Sequence, residues 1–81
     1  MDQKILKTGD RVRLRLMGDA SWVHGFVDLA SSNGEAIMVR LDGALRDSKG
    51  GMYFSAIPLL VDYQRERVHN FTGDDYELEF Q

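Results

Sequence analysis

The sequence predicts an all-β fold, a small antiparallel barrel with an extra C-terminal hairpin. Three observations carry the prediction. Arg11, Arg13 and Arg15 alternate with Val12, Leu14 and Leu16. Near the other end, Tyr76-Glu77-Leu78-Glu79-Phe80 alternates in the same way. Successive side chains of a strand point to opposite faces, so each stretch has one apolar and one charged face. Between them, glycines recur every seven to nine residues, at Gly9, Gly18, Gly25, Gly34, Gly43 and Gly50-Gly51. Turn signals at that spacing, separated by β-rich runs, read as a small sandwich or barrel. The segments between the glycines are unlike one another, so the beat is not a sequence repeat.

Gly9-Asp10 is turn chemistry and opens the first strand, residues 10–17. Residues 17–21 form a loop. The second strand covers residues 22–29, and Gly25 inside it marks a bend, a bulge or a close backbone approach. Ser31-Ser32-Asn33-Gly34 is a hairpin turn, Asn-Gly being its strongest short signal. The third strand covers 35–42, with Ile37, Val39 and Leu41 on one face and Met38, Arg40 and Asp42 on the other. A polar loop follows to Gly51. The fourth strand covers 52–57, and Pro58 ends it or sits on an edge because proline has no donor for a ladder. Leu59-Leu60 would then turn back into the core. Residues 61–70 fit a helical and a strand spacing equally poorly, and strands are favoured because a hairpin of about 66–72 with 75–80 follows. The predicted core contains Val12, Leu14, Val27, Val39, Leu41, Leu78 and Phe80.

Eighty-one residues make one domain. It divides into an N-terminal arm (1–8), a barrel core (9–60) and a C-terminal extension with the closing strand (61–81). So short a chain buries ~60–65 % of its unfolded surface, which leaves little apolar area for a deep pocket. There is no cysteine, hence no disulfide framework or thiolate metal site, and a reducing compartment is expected. No apolar run approaches the ~20 residues of a membrane span. The start, Met-Asp-Gln-Lys-Ile-Leu-Lys, lacks the apolar core of a signal peptide. The expectation is a cytoplasmic protein with no membrane partner, complete from Met1. The net charge of −3 hides an asymmetry: residues 1–17 carry five basic and two acidic side chains, and residues 51–81 carry two basic and six acidic. Such polarity can mark a basic binding face, or two ends of the chain that pair with each other.

Four features resemble an SH3-like small β-barrel: Gly9-Asp10-Arg11-Val12, the Trp22…Gly25-Phe26-Val27 strand, the hairpin into Ala36–Asp42, and the strand ending Ile57-Pro58-Leu59-Leu60. They cover residues 9–60, and Tudor, KOW and SH3 modules are similar. The resemblance implies the fold; function lives in sites grafted onto it. The plasmid-borne, trimethoprim-insensitive dihydrofolate reductases resemble the chain in their Gly-Asp-Arg-Val-Arg opening and following tryptophan strand. Their activity resides in a tetramer pore lined by Val-Gln-Ile-Tyr-Pro. Here the corresponding stretch is Phe54-Ser55-Ala56-Ile57-Pro58, with Ser55 and Ile57 in place of the glutamine and tyrosine. The resemblance therefore implies the barrel and not the activity.

The arginine stripe can be read in two ways. Arg11, Arg13 and Arg15, with Lys4 and Lys7 beside them, could grip nucleic-acid phosphates. They could instead face Glu77 and Glu79 across an antiparallel pair, which the overall acidity favours. Trp22, Phe26, Tyr53 and Tyr63 could line a shallow groove for a peptide or a methylated side chain, or simply fill the barrel. Trp22, at a strand start beside a polar loop, is the best placed of them to bind. His24 belongs with Trp22 and Phe26 on the polar face of the second strand. His24 and His69, with Asp28 or Asp74, lack the spacing of a metal site, so no metal is expected. Glu77 and Glu79 read as a solvent face rather than an acid–base pair. There is no nucleophile elbow and no phosphate-binding glycine loop. No cofactor and no catalytic residue is expected. The expectation is a non-enzymatic module that binds a protein or itself, since Met38 and other apolar side chains sit on an outer strand face. The alternatives are nucleic-acid binding through Arg11, Arg13 and Arg15, and an enzyme whose site forms at an oligomer interface.

Overall fold

The computed structural model describes residues 5–81, so Lys4 and the start of the arm lie outside the described residues. Six strands follow one another: β1 (Arg11–Leu16), β2 (Val23–Ala30), β3 (Ala36–Arg46), β4 (Tyr53–Asp62), β5 (Arg67–His69) and β6 (Asp75–Phe80). Each pairs antiparallel with the next, and β6 pairs with β1 to close a barrel. No helix occurs among the described residues. The all-β barrel and its C-terminal hairpin are therefore as the alternation predicts.

The core is the inward face of each strand. Val12, Leu14, Val27, Val39, Ile57, Val68 and Tyr76 are completely buried, and Leu41 and Leu78 nearly so. Leu6 joins them from the arm. The Tyr63 hydroxyl holds that arm in place: it accepts a hydrogen bond from Leu6 N at 3.1 Å and donates to Gly34 O at 2.7 Å. Phe80, expected in the core, is only partly buried because it sits at the last position of β6.

Several strand limits differ from the sequence reading, each for a local reason. The register between β2 and β3 shifts between Val27 and Leu29, so the bulge falls at Asp28 and not at Gly25. Gly25 is instead a close approach: a Cβ there would lie 2.2 Å from Arg40 O. β3 does not stop at Asp42. A register shift between Arg40 and Leu45 lets the hairpin bend and continue, and Leu45 pairs with Phe54 inside the barrel. The polar loop shrinks to 47–52, organised by the Asp47 carboxylate, which accepts from Gly51 N and Met52 N.

Pro58 does not end β4 either. The Val61 amide bonds Glu35 O beside β3, so by alternation position 58 turns its nitrogen to the opposite side. β5 pairs only with residues 60–62, so the missing donor costs no ladder bond. Because β4 runs on, Leu59 points inward and is buried, whereas Leu60 points out and is 51 % exposed. The β5–β6 turn is built on the buried Asn70, whose Oδ1 accepts from Thr72 N, Thr72 Oγ1 and Asp74 N.

Candidate functional site

Two outer faces carry the chemistry of this barrel. The first lies on β6, β1 and the start of β2. Alternation sends Arg11, Arg13 and Arg15 outward, and the β1–β6 register sets Arg13 opposite Glu79 and Arg15 opposite Glu77. Both pairs form. Arg13 Nε donates to Glu79 Oε1 at 2.9 Å, and its terminal nitrogen bonds the same oxygen. Arg15 reaches Glu77 Oε2 through Nε at 2.9 Å and through its terminal nitrogen at 2.7 Å. The hydrogen bond from Arg13 lowers the Glu79 carboxyl below its ordinary range. The half-buried Trp22 lays its ring against both guanidinium groups, 4.2 Å from Arg13 Cζ and 4.4 Å from Arg15 Cζ. Arg13 and Arg15 thus each have a carboxylate and an aromatic face as neighbours within the chain.

Of the residues singled out in the sequence, Arg11, Arg13, Arg15, Trp22, His24 and Phe26 do share this face. Arg13 stands opposite His24, and Arg11 opposite Phe26. The His24 ring meets the Gln81 side chain. Tyr53 and Tyr63 are not brought to this face. They sit at opposite ends of β4, with Tyr53 68 % exposed and Tyr63 occupied by the arm. The loop before β2 is pinned from the far hairpin, where Arg46 forks onto both carboxylate oxygens of Asp19 at 3.1 and 3.2 Å. Those two hydrogen bonds lower the Asp19 carboxyl below its ordinary range. No group of acidic residues and histidines among the described residues is arranged to hold a metal ion.

The second face lies on β2, β3 and β4 beyond the Asp28 bulge. Leu29, Met38 and Pro58 form one row across the three strands, and Ala36 and Leu60 form the next. Phe71, just after β5, closes the end of the patch and is 71 % exposed; Leu29 at the other end is 65 % exposed. Two shallow grooves cross it. One, about 270 Å³, runs past Ala36, Pro58, Leu60 and Phe71. The other, about 310 Å³, runs past Leu29, Ala36 and Met38. No charged side chain lines either groove.

Of this patch the sequence reading singled out only Met38. Leu29 shares the parity of Val23 and Val27 and reads as core, but the extra residue at the bulge turns it outward. Leu60 reads as core only if the strand stops at Pro58. Comparison with known protein families, curated proteins and solved structures finds no match.

Proposed function

We propose that the chain is a non-enzymatic interaction module, a small barrel of the SH3-like kind that works in the cytoplasm and engages a protein surface through the outer face of β2, β3 and β4. One observation carries the reading: Leu29, Pro58, Leu60 and Phe71 lie exposed together and flank grooves without charge. A contiguous apolar patch of this kind on a small protein marks an interaction surface. Consecutive strands that close a small barrel, with a register shift between β3 and β4, support the SH3-like assignment.

The arginine stripe supports nucleic-acid binding less well. Arg13 and Arg15 already have carboxylate partners, so a phosphate at either would have to replace Glu79 or Glu77. The reductase look-alike is weakened further by burial. Ile57, in the place of the pore tyrosine, is fully enclosed in the barrel.

The test is site-specific crosslinking in cells. A photoreactive side chain at Leu60 should capture protein, and the same group at Arg11 should capture little. Capture from Arg11 to nucleic acid alone would remove the reading. So would turnover of dihydrofolate with NADPH by material free of host enzyme.

A further inference from the structure

We propose that the occupant of this face is a second copy of the chain, paired about a twofold axis so that Leu29 of each copy enters the groove beside Phe71 of the other. The inference rests on the reading above and names its partner.

The shape of the patch supports the pairing. Ala36, a small side chain, lines both grooves and so lies between them. Leu29 stands at one end, and Pro58, Leu60 and Phe71 frame the groove at the other. A twofold rotation near Ala36 carries Leu29 onto the partner's Pro58–Phe71 groove. The same rotation brings the partner's Leu29 onto the first copy's groove. That is the self-complementarity an isologous contact requires.

Charge points the same way. With no ionised group lining either groove, a second copy brings no like charge to the contact and leaves no unpaired charge buried. A charged partner would find no counter-charge in either groove, where Ser31 is the one polar lining residue. The extent is also adequate. Leu29, Leu60 and Phe71 are each more than half exposed, so burying two such faces approaches the ~1,000 Å² of a specific interface. Pro58 favours a face-to-face contact, because it removes a donor from the open edge of β4 and so weakens strand addition there.

Sedimentation equilibrium of the whole chain, from micromolar to millimolar, tests the proposal with two variants. The wild type should be a dimer. Leu29→Lys and Leu60→Glu should each weaken it at least about tenfold. An equimolar mixture of the two should associate again. In the mixed dimer, one contact sets the introduced lysine beside the introduced glutamate, and the other keeps its two leucines. Thermal melts of both variants establish that they fold, which the exposure of both positions predicts.

A wild type that stays monomeric at millimolar concentration overturns the proposal. So does a dimer that neither variant weakens, or a mixture that fails to re-form one. If the wild type is monomeric but the Leu60 crosslinker still captures another protein, the second copy is wrong and the interaction surface stands. If it is monomeric and nothing is captured, both fail.

Discussion

On β6 and β1, Arg13, Arg15, Glu77 and Glu79 point outward and pair with one another; on β2, β3 and β4 beyond the bulge, Leu29, Pro58 and Leu60 point outward, apolar and exposed. The charged face is the more conspicuous in the sequence, yet it has less to gain from a partner. Arg13 and Arg15 are held by Glu79 and Glu77 and packed on Trp22. A ligand there exchanges one surface ion pair for another, for a small net gain. Each Å² of apolar surface removed from water contributes about 25 cal/mol and breaks no ion pair, against an entropy cost of association that either face would bear. The driving force for association therefore sits on the face without charge.

The largest expected effect is at Gly25, on the strand the two faces share. In Gly25→Ala the new methyl would collide with Arg40 O, and backbone cannot swing aside as a side-chain end can. Urea unfolding should show a loss of about 3 kcal/mol or more. An unchanged midpoint would mean that β2 and β3 do not meet in this register, and the division into two faces would dissolve.

The next effect is at alkaline pH. Tyr76 is fully enclosed and donates to Arg46 O at 3.1 Å. Burial, with the carboxylates of Asp74 and Asp47 adding to it, pushes its phenol up to about 12. The unfolded chain ionises it near ~10. A group raised on folding contributes stability that is complete below the unfolded value and lost as pH rises through the folded one. The melting temperature should fall between about pH 10 and pH 12. Tyr76→Phe should flatten that fall, and an equally steep one in the variant would contradict the assignment.

A smaller effect tests whether the charged face is closed on itself. Arg15→Gln and Glu77→Gln should be non-additive, with a coupling of about 0.2–1 kcal/mol that shrinks in high salt. Additive losses would leave the arginines free for an outside anion. Acid should act in the same place. A carboxyl depressed on folding, as Glu79 is by Arg13, contributes stability above its unfolded value that is lost as pH falls through the folded one. The acid limb of the stability profile should therefore shift in Arg13→Gln. The smallest effect belongs to the apolar face: Leu29→Lys should change the monomer's stability by no more than about 0.5 kcal/mol. A large loss would mean that Leu29 is packed inside after all.

These residues also show what a sequence can reveal. The charged face was legible because strict alternation sets the faces and the opposite signs of β1 and β6 point to each other. The choice of Glu79 for Arg13 and Glu77 for Arg15 follows from register, which depends on how the barrel closes. The apolar face was largely hidden by two irregularities. One extra residue at Asp28 reverses the parity of Leu29. The open edge of β4 lets the strand run through Pro58, which moves Leu60 from the core to the surface. Both depend on what neighbouring strands do, and pattern within one strand cannot report it.

The central claim is that association uses the apolar face and leaves the charged face untouched. A dilution series followed by amide and methyl NMR tests it most directly. Between millimolar and micromolar chain, the account predicts shift changes concentrated at Leu29, Ala36, Met38, Leu60 and Phe71, with the Trp22 indole and the Arg13 and Arg15 side chains still. Concentration-dependent shifts centred on Trp22, Arg13 and Arg15, with Leu29 and Leu60 unmoved, would contradict it.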